Sequence, residues 1–156
     1  MRELRIHHFF DIMRDYGSGK SLSEHAYGHS YHTIGNELFE NKTSTIKIVI
    51  KNDDICENCT KLNQGKCIDT IHHRSDFLYK PEFNDYLDTR IMNCMGYEDG
   101  QVVEVMDIVK NAHKYLVHIF ELYDGNDIEH TELRKQNVSI GIDKKTDEFC
   151  AKENLL

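Results

Sequence analysis

Three cysteines fall within twelve residues, Cys56, Cys59 and Cys67, in the pattern Cys-x2-Cys-x7-Cys. A Cys-x-x-Cys pair lets two thiolates reach one metal without strain. Gly65 in the QGK that precedes Cys67 permits a sharp return of the chain. Cys94 is the next cysteine and the candidate fourth ligand. Four thiolates fit a tetrahedral zinc site, and they fit an iron–sulfur cluster such as 4Fe–4S equally well. Thiolate is the soft ligand that both prefer, so spacing alone does not separate them. Cys94 has a second reading, as a small buried hydrophobe on the apolar side of a helix. Cys150, near a polar C-terminus, reads as a bystander. A redox dithiol at Cys56 and Cys59 is the weaker alternative. Thiol activation of that kind uses a helix N-terminus, and the following TKLNQGKC carries no helical pattern.

Histidines supply further candidates. His7 and His8 are adjacent, as are His72 and His73. In an extended segment adjacent side chains point to opposite faces, so only one of each pair would face a site. His72 and His73 follow closely on Cys67, and Asp11 follows closely on His8. Either could add a ligand or a hydrogen bond to a thiolate. His25, His29 and His32 lie at i, i+4 and i+7. On a helix they share one side, a spacing that lets two imidazoles grip one metal. The plainer reading is a polar, partly exposed face. His113 sits in an apolar stripe and reads as a core histidine, and His118 and His130 read as surface residues. No Ser-His-Asp order stands out, and GSGK at 17–20 is too short for a phosphate-binding loop.

These residues must be positioned by an α+β domain, mostly helical, with a small sheet. One domain spans 1–156, with a Cys-rich metal loop over 53–74 and a helical half over 81–148. LRIHHFF, 4–10, reads as a first strand or a strand entering a turn. DYGSGK reads as a loop. A helix is expected from Ser23 to about Glu40, weakened by Gly28 and Gly35. The β-branched TIKIVI, 45–50, reads as a strand. The segment from Lys51 to Asp76 has no apolar period, and a loop that long is uncommon unless it is functional or cross-linked. A helix should start at Pro81 and end near Gly96. Residues 102–123 carry apolar positions at helical spacing, and Asp127 can cap a last helix. The two helices should form an antiparallel pair.

Composition narrows the class. The chain carries 19 Lys+Arg against 27 Asp+Glu, a formal charge of -8. An acidic chain without a basic block is a poor candidate for binding nucleic acid. No run approaches the ~20 apolar residues of a membrane span. No apolar signal core follows the N-terminus, which points to the cytoplasm. Five cysteines without export disfavour a disulfide framework. The expected partner is an unidentified protein or small molecule.

LRIHHFFD, a short strand and then DDICENCTKLNQGKC together resemble a family of small uncharacterised bacterial and archaeal proteins, a domain of unknown function thought to bind an iron–sulfur cluster. Members open with Leu-Arg-x-His-His soon followed by a cysteine. They continue with Cys-x-x-Cys and a stretch ending in Gly-Gly-x-Cys or similar. The likeness covers roughly residues 1–70. It implies that Cys56, Cys59 and Cys67 are three ligands. It departs at Asp11, which stands where the family pattern places its first cysteine. Cys94 or Asp11 then completes the site, or nothing does, and an open position would permit Lewis-acid chemistry. Three functions are therefore in view. One is an iron–sulfur protein of unknown reaction, and another is a structural zinc site in a protein-interaction module. The third is a metalloenzyme with an open position near His7 and His8, which predicts a histidine-lined cavity beside the metal.

Overall fold

A computed structural model describes residues 1–155. Strand β1, Arg2–Leu4, runs through Arg5 into helix α1, Ile6–Ser18. Helix α2, Tyr31–Phe39, precedes strand β2, Thr45–Ile48. An irregular stretch follows, containing a 3-10 turn at Asp54–Cys56 and the short strands β3, Leu62–Asn63, and β4, Lys66–Cys67. Then come α3, Lys80–Met95, β5, Val102–Glu104, α4, Val105–Val117, α5, Ile119–Leu122, and α6, Ile128–Glu153. The class is α+β and mostly helical, as expected. β2 is the central strand of three, parallel to β1 and antiparallel to β5. Ile46 and Ile48 are fully buried while Thr45 and Lys47 are half-buried, the alternation of a sheet covered on one face. β3 and β4 form a separate two-stranded hairpin.

The core is built around α1. Its Ile6, Phe9, Phe10, Ile12 and Met13 are fully buried, and Phe10 stacks on Tyr115 of α4 with ring centroids 3.7 Å apart. The most extensive helix contact is between α1 and α6. Two glycines permit it. A Cβ on Gly17 would lie 1.7 Å from the carbonyl oxygen of Asn137, and one on Gly141 would lie 2.0 Å from that of Met13. The two backbones therefore touch, which no side chain would allow. Pro81 lies in the first turn of α3, Gly96 caps its end, and the Asp127 carboxylate caps α6 by accepting from His130 N–H.

Three expectations fail locally. Residues 6–18 are helical, so the strand stops at Leu4 and only Gly19 and Lys20 of the expected DYGSGK loop lie outside the helix. Leu-Arg-x-His-His has no regular alternation, and tertiary packing favours the helix. Residues 23–30 are irregular, with a turn at 26–27, and the helix starts only at Tyr31. Gly28 has φ +73°, a left-handed conformation that stops a helix from passing through. Residues 102–123 divide into β5, α4 and α5, because Val102 and Val103 pair with β2. The buried stripe on α4 is Val105, Ile108, Val109, Ala112 and Tyr115. It lies one position away from the stripe expected through His113, which is exposed. On α6, Val138 and Ile142 are buried as apolar positions should be, but Ile128 and Leu133 face solvent.

Candidate functional site

Helix α1 begins without a capping side chain, since Arg5 holds that place. The orphan amides of its first turn still need acceptors. Two buried carboxylates from distant elements supply them. Asp53 accepts from the backbone N–H of Arg5 at 2.8 Å, and Asp88 of α3 accepts from that of His7 at 2.9 Å. Both carboxylates are 0% exposed at the side chain. Negative charge at a helix N-terminus is stabilised by the helix dipole. Arg5, itself buried, adds an ion pair to Asp88 at 2.9 Å and one to the more exposed Asp85 at 2.8 Å.

The same two carboxylates orient the two histidines. His7 Nδ1 lies 2.8 Å from Asp88 Oδ1, and His8 Nδ1 lies 2.7 Å from Asp53 Oδ2. A carboxylate on Nδ1 makes that nitrogen the donor, so each neutral ring keeps its lone pair on Nε2. The rings sit 4.2 Å apart. Both line one cavity of about 900 Å³. The expectation that only one of the pair could face a site was tied to the strand reading. On a helix, neighbours differ by only about 100°, and His7, His8, Asp11, Arg14 and Asp15 form a single polar face. Burial works against a charged His8, but the charge and hydrogen bond of Asp53, with Asp11 and Asp88 behind it, outweigh burial and raise its pKa. Burial opposes ionisation of Asp53 too, yet His8 and the Arg5 amide bring its pKa down to about 2.

Asp53 also reaches the cysteines. Its Oδ1 accepts from the Cys56 thiol at 3.7 Å, so one carboxylate joins His8 to Cys56. Burial, then the Asp53 charge, pushes the Cys56 thiol up to about 11. Cys59 and Cys67 line the same cavity. All five cysteines are free thiols. Cys94 is not brought to the other three. It lies two turns beyond Leu87, the last cavity residue of α3, or about 10 Å along the axis, and its thiol donates to the Lys114 carbonyl at 3.3 Å. Cys150 is exposed. Asp11, the other candidate fourth ligand, lines the cavity but is engaged by Arg14 and Arg134. Among the described residues, no three His, Cys, Asp or Glu side chains stand close enough as placed to grip one ion. The donor types fit a soft metal, whereas the segment that carries the thiols would have to close to bring them together. Between residues 50 and 79 only Asp53, Ile55 and Ile71 are buried, so little packing resists that.

The expected helical face of His25, His29 and His32 does not exist, and yet two of the three meet. His25 and His29 stack with centroids 4.4 Å apart and line the cavity, while His32 lies in α2 outside it. Each cavity ring accepts a backbone amide at Nδ1, from Tyr27 at 3.0 Å and from Tyr31 at 3.4 Å. Their Nε2 atoms therefore carry the proton. Burial and the neighbouring His25 lower the pKa of His29, which favours the neutral ring. Backbone bonds tie this loop to the cysteine segment, Thr60 N–H to Tyr27 and Ser30 N–H to Ile55. Of the other adjacent pair, His73 faces the cavity and His72 does not. His130 is exposed, as expected of a surface residue, and also lies on the cavity wall.

Sequence reasoning passed over Asp53, Asp88 and Arg134. One signal was present. His7, Asp11, Arg14 and Asp15 repeat at helical spacing, as do His130 and Arg134, and each set marks a polar helix face turned inward. Compared with known proteins, the chain matches no family model, and no curated protein or solved structure is found to match it.

Proposed function

We propose that the cavity is a metal-dependent reactive site, with Cys56, Cys59 and Cys67 holding an iron–sulfur cluster and His7 and His8 facing an open position beside it. The observation that carries this reading is the shared carboxylate. Asp53 holds the His8 ring by one oxygen and the Cys56 thiol by the other, so thiols and imidazoles border the same space. A metal-ligating histidine commonly donates its other N–H to a carboxylate, and both His7 and His8 do so. Three thiolates with one position open would supply Lewis-acid chemistry at an exposed iron. His8 is placed to hold or release a proton at Nε2, with Asp53 stabilising the charged ring. The cavity volume is enough for a small-molecule ligand as well. A metal would also tie down a segment with almost no core of its own, which equally suits the alternative of structural zinc.

Metal analysis and an anaerobic absorption spectrum of the wild type test the reading. The expected result is bound iron with broad visible absorption, lost in Cys56→Ser and Cys67→Ser but kept in Cys94→Ser. A colourless chain with one zinc favours the structural site. Wild-type protein that binds neither metal sinks both.

A further inference from the structure

Arg134 lines the cavity with its side chain nine-tenths buried, and among the described residues its Nε has no hydrogen-bond partner. Its Nη1 is on Asp11, and its guanidinium stands 4.7 Å over the ring of Tyr123. Buried donors without partners are uncommon and ask for an explanation. The rest of the wall has the same bias. The chain as a whole is acidic, 27 Asp+Glu against 19 Lys+Arg, but the cavity is lined by five Lys/Arg, four Asp and no Glu.

Those four carboxylates already have partners. Asp11 bridges Arg14 and Arg134, and Asp15 takes Arg14 and the Tyr31 hydroxyl. Asp69 takes Lys80 and the Thr70 amide, and Asp127 caps α6. Lys20 and Lys61, by contrast, form no ion pair among the described residues. His25 and His29 add two N–H donors, because their acceptor nitrogens are occupied by backbone. What the wall offers in excess is positive charge and hydrogen-bond donors.

We propose that the cavity binds a small oxyanion-bearing molecule, its carboxylate or phosphate group held on the cationic wall that Arg134 anchors and His25 and His29 complete. A planar guanidinium and preplaced N–H donors match an oxyanion, and charge-assisted bonds of this kind are about twice as strong as neutral ones. The inference deepens the metal reading by naming the ligand class, but it needs no metal to hold.

The test is thermal unfolding and calorimetric titration of the full chain with inorganic phosphate, with succinate, and with succinamide as the neutral control. Each is run before and after chelation. A saturable stabilisation by phosphate or succinate, absent with succinamide and unchanged by chelation, is expected. The stronger of the two anions identifies the group. Arg134→Lys should weaken that binding roughly ten- to hundredfold. The double variant His25→Ala/His29→Ala, which leaves the Asp11 ion pairs intact, should weaken it by a smaller factor. Equal stabilisation by succinamide, no shift with either anion, or wild-type affinity in both variants overturns the proposal. Binding that vanishes on chelation also overturns it, since the anion would then sit on the metal, and that outcome leaves the metal reading standing.

Discussion

Two histidine pairs face the same cavity and are prepared for opposite work. His7 and His8 rest Nδ1 on buried carboxylates, so in the neutral form each ring presents a lone pair at Nε2. His25 and His29 rest Nδ1 on backbone amides and present an N–H. Identical side chains thus become a ligand or base on one wall and a donor on the other. The difference comes from what lies behind each ring. The first pair opens a helix whose uncapped N-terminus attracts acidic partners. The second sits in a loop where backbone amides have no helix to satisfy them.

The largest effect should come from removing the support of the first pair. Asp88→Ala strips acceptors from the His7 amide, the His7 ring and buried Arg5 at once. A loss of about 3–5 kcal/mol is expected in urea unfolding, the cost of breaking a buried ion pair, with Arg5 left only the more exposed Asp85. A loss below about 1 kcal/mol would mean that the carboxylate does not anchor the pair.

Next is the helix contact that holds α1 in place. Gly141→Ala must push α1 and α6 apart, and overpacking typically costs about 1–3 kcal/mol. Wild-type stability in this variant would contradict backbone contact at that crossing.

Metal should act on the weakly packed wall. At a free concentration a hundredfold above its Kd, a bound metal adds about 2.7 kcal/mol to stability. Hydrogen exchange should show the added protection concentrated in the segment that carries Cys56, Cys59 and Cys67. Protection confined to α1 would place the metal on the histidines instead.

A pH titration of metal-free protein tests the cationic wall. Burial disfavours the ionised form of Asp11, but Arg134 and Arg14 outweigh it and hold its pKa well below the usual carboxylate value. Its stabilisation is therefore complete above an ordinary aspartate pKa of about 3.9 and fades as pH falls below that value. The stability gap between wild type and Asp11→Asn should narrow as pH drops below about 4. A gap that stays constant would remove Asp11 from the acid limb.

The smallest effect belongs to the loop pair. His25→Ala, at an exposed site, should change stability by no more than about 0.5 kcal/mol, and His29→Ala, at a half-buried one, by about 1 kcal/mol or less. A loss as large as that of Asp88→Ala would erase the contrast between the pairs.

The legible parts of the molecule were the local ones. Pro81, Gly96 and Asp127 marked helix ends, and TIKI marked the central strand, because each acts through its own backbone. The α1 stripe of His7, Asp11 and Asp15 was written in the sequence at helical period, but an apolar and aromatic LRIHHFF also fits a strand. Asp53 and Asp88 had no local signature, and Arg134 had only its helical spacing from His130. Acidic and basic residues are common, and burial is what makes these three unusual.

From its sequence alone this chain has an inventory of donors, an acidic surface and the punctuation of its elements, since those depend on residue type and near neighbours. The protonation pattern of its histidines depends on hydrogen bonds across 45 and 81 residues, from Asp53 to His8 and from Asp88 to His7. Only the folded chain closes those distances. A ring's tautomer follows whichever partner arrives, and so the placement of ligand, base and donor was decided by tertiary structure.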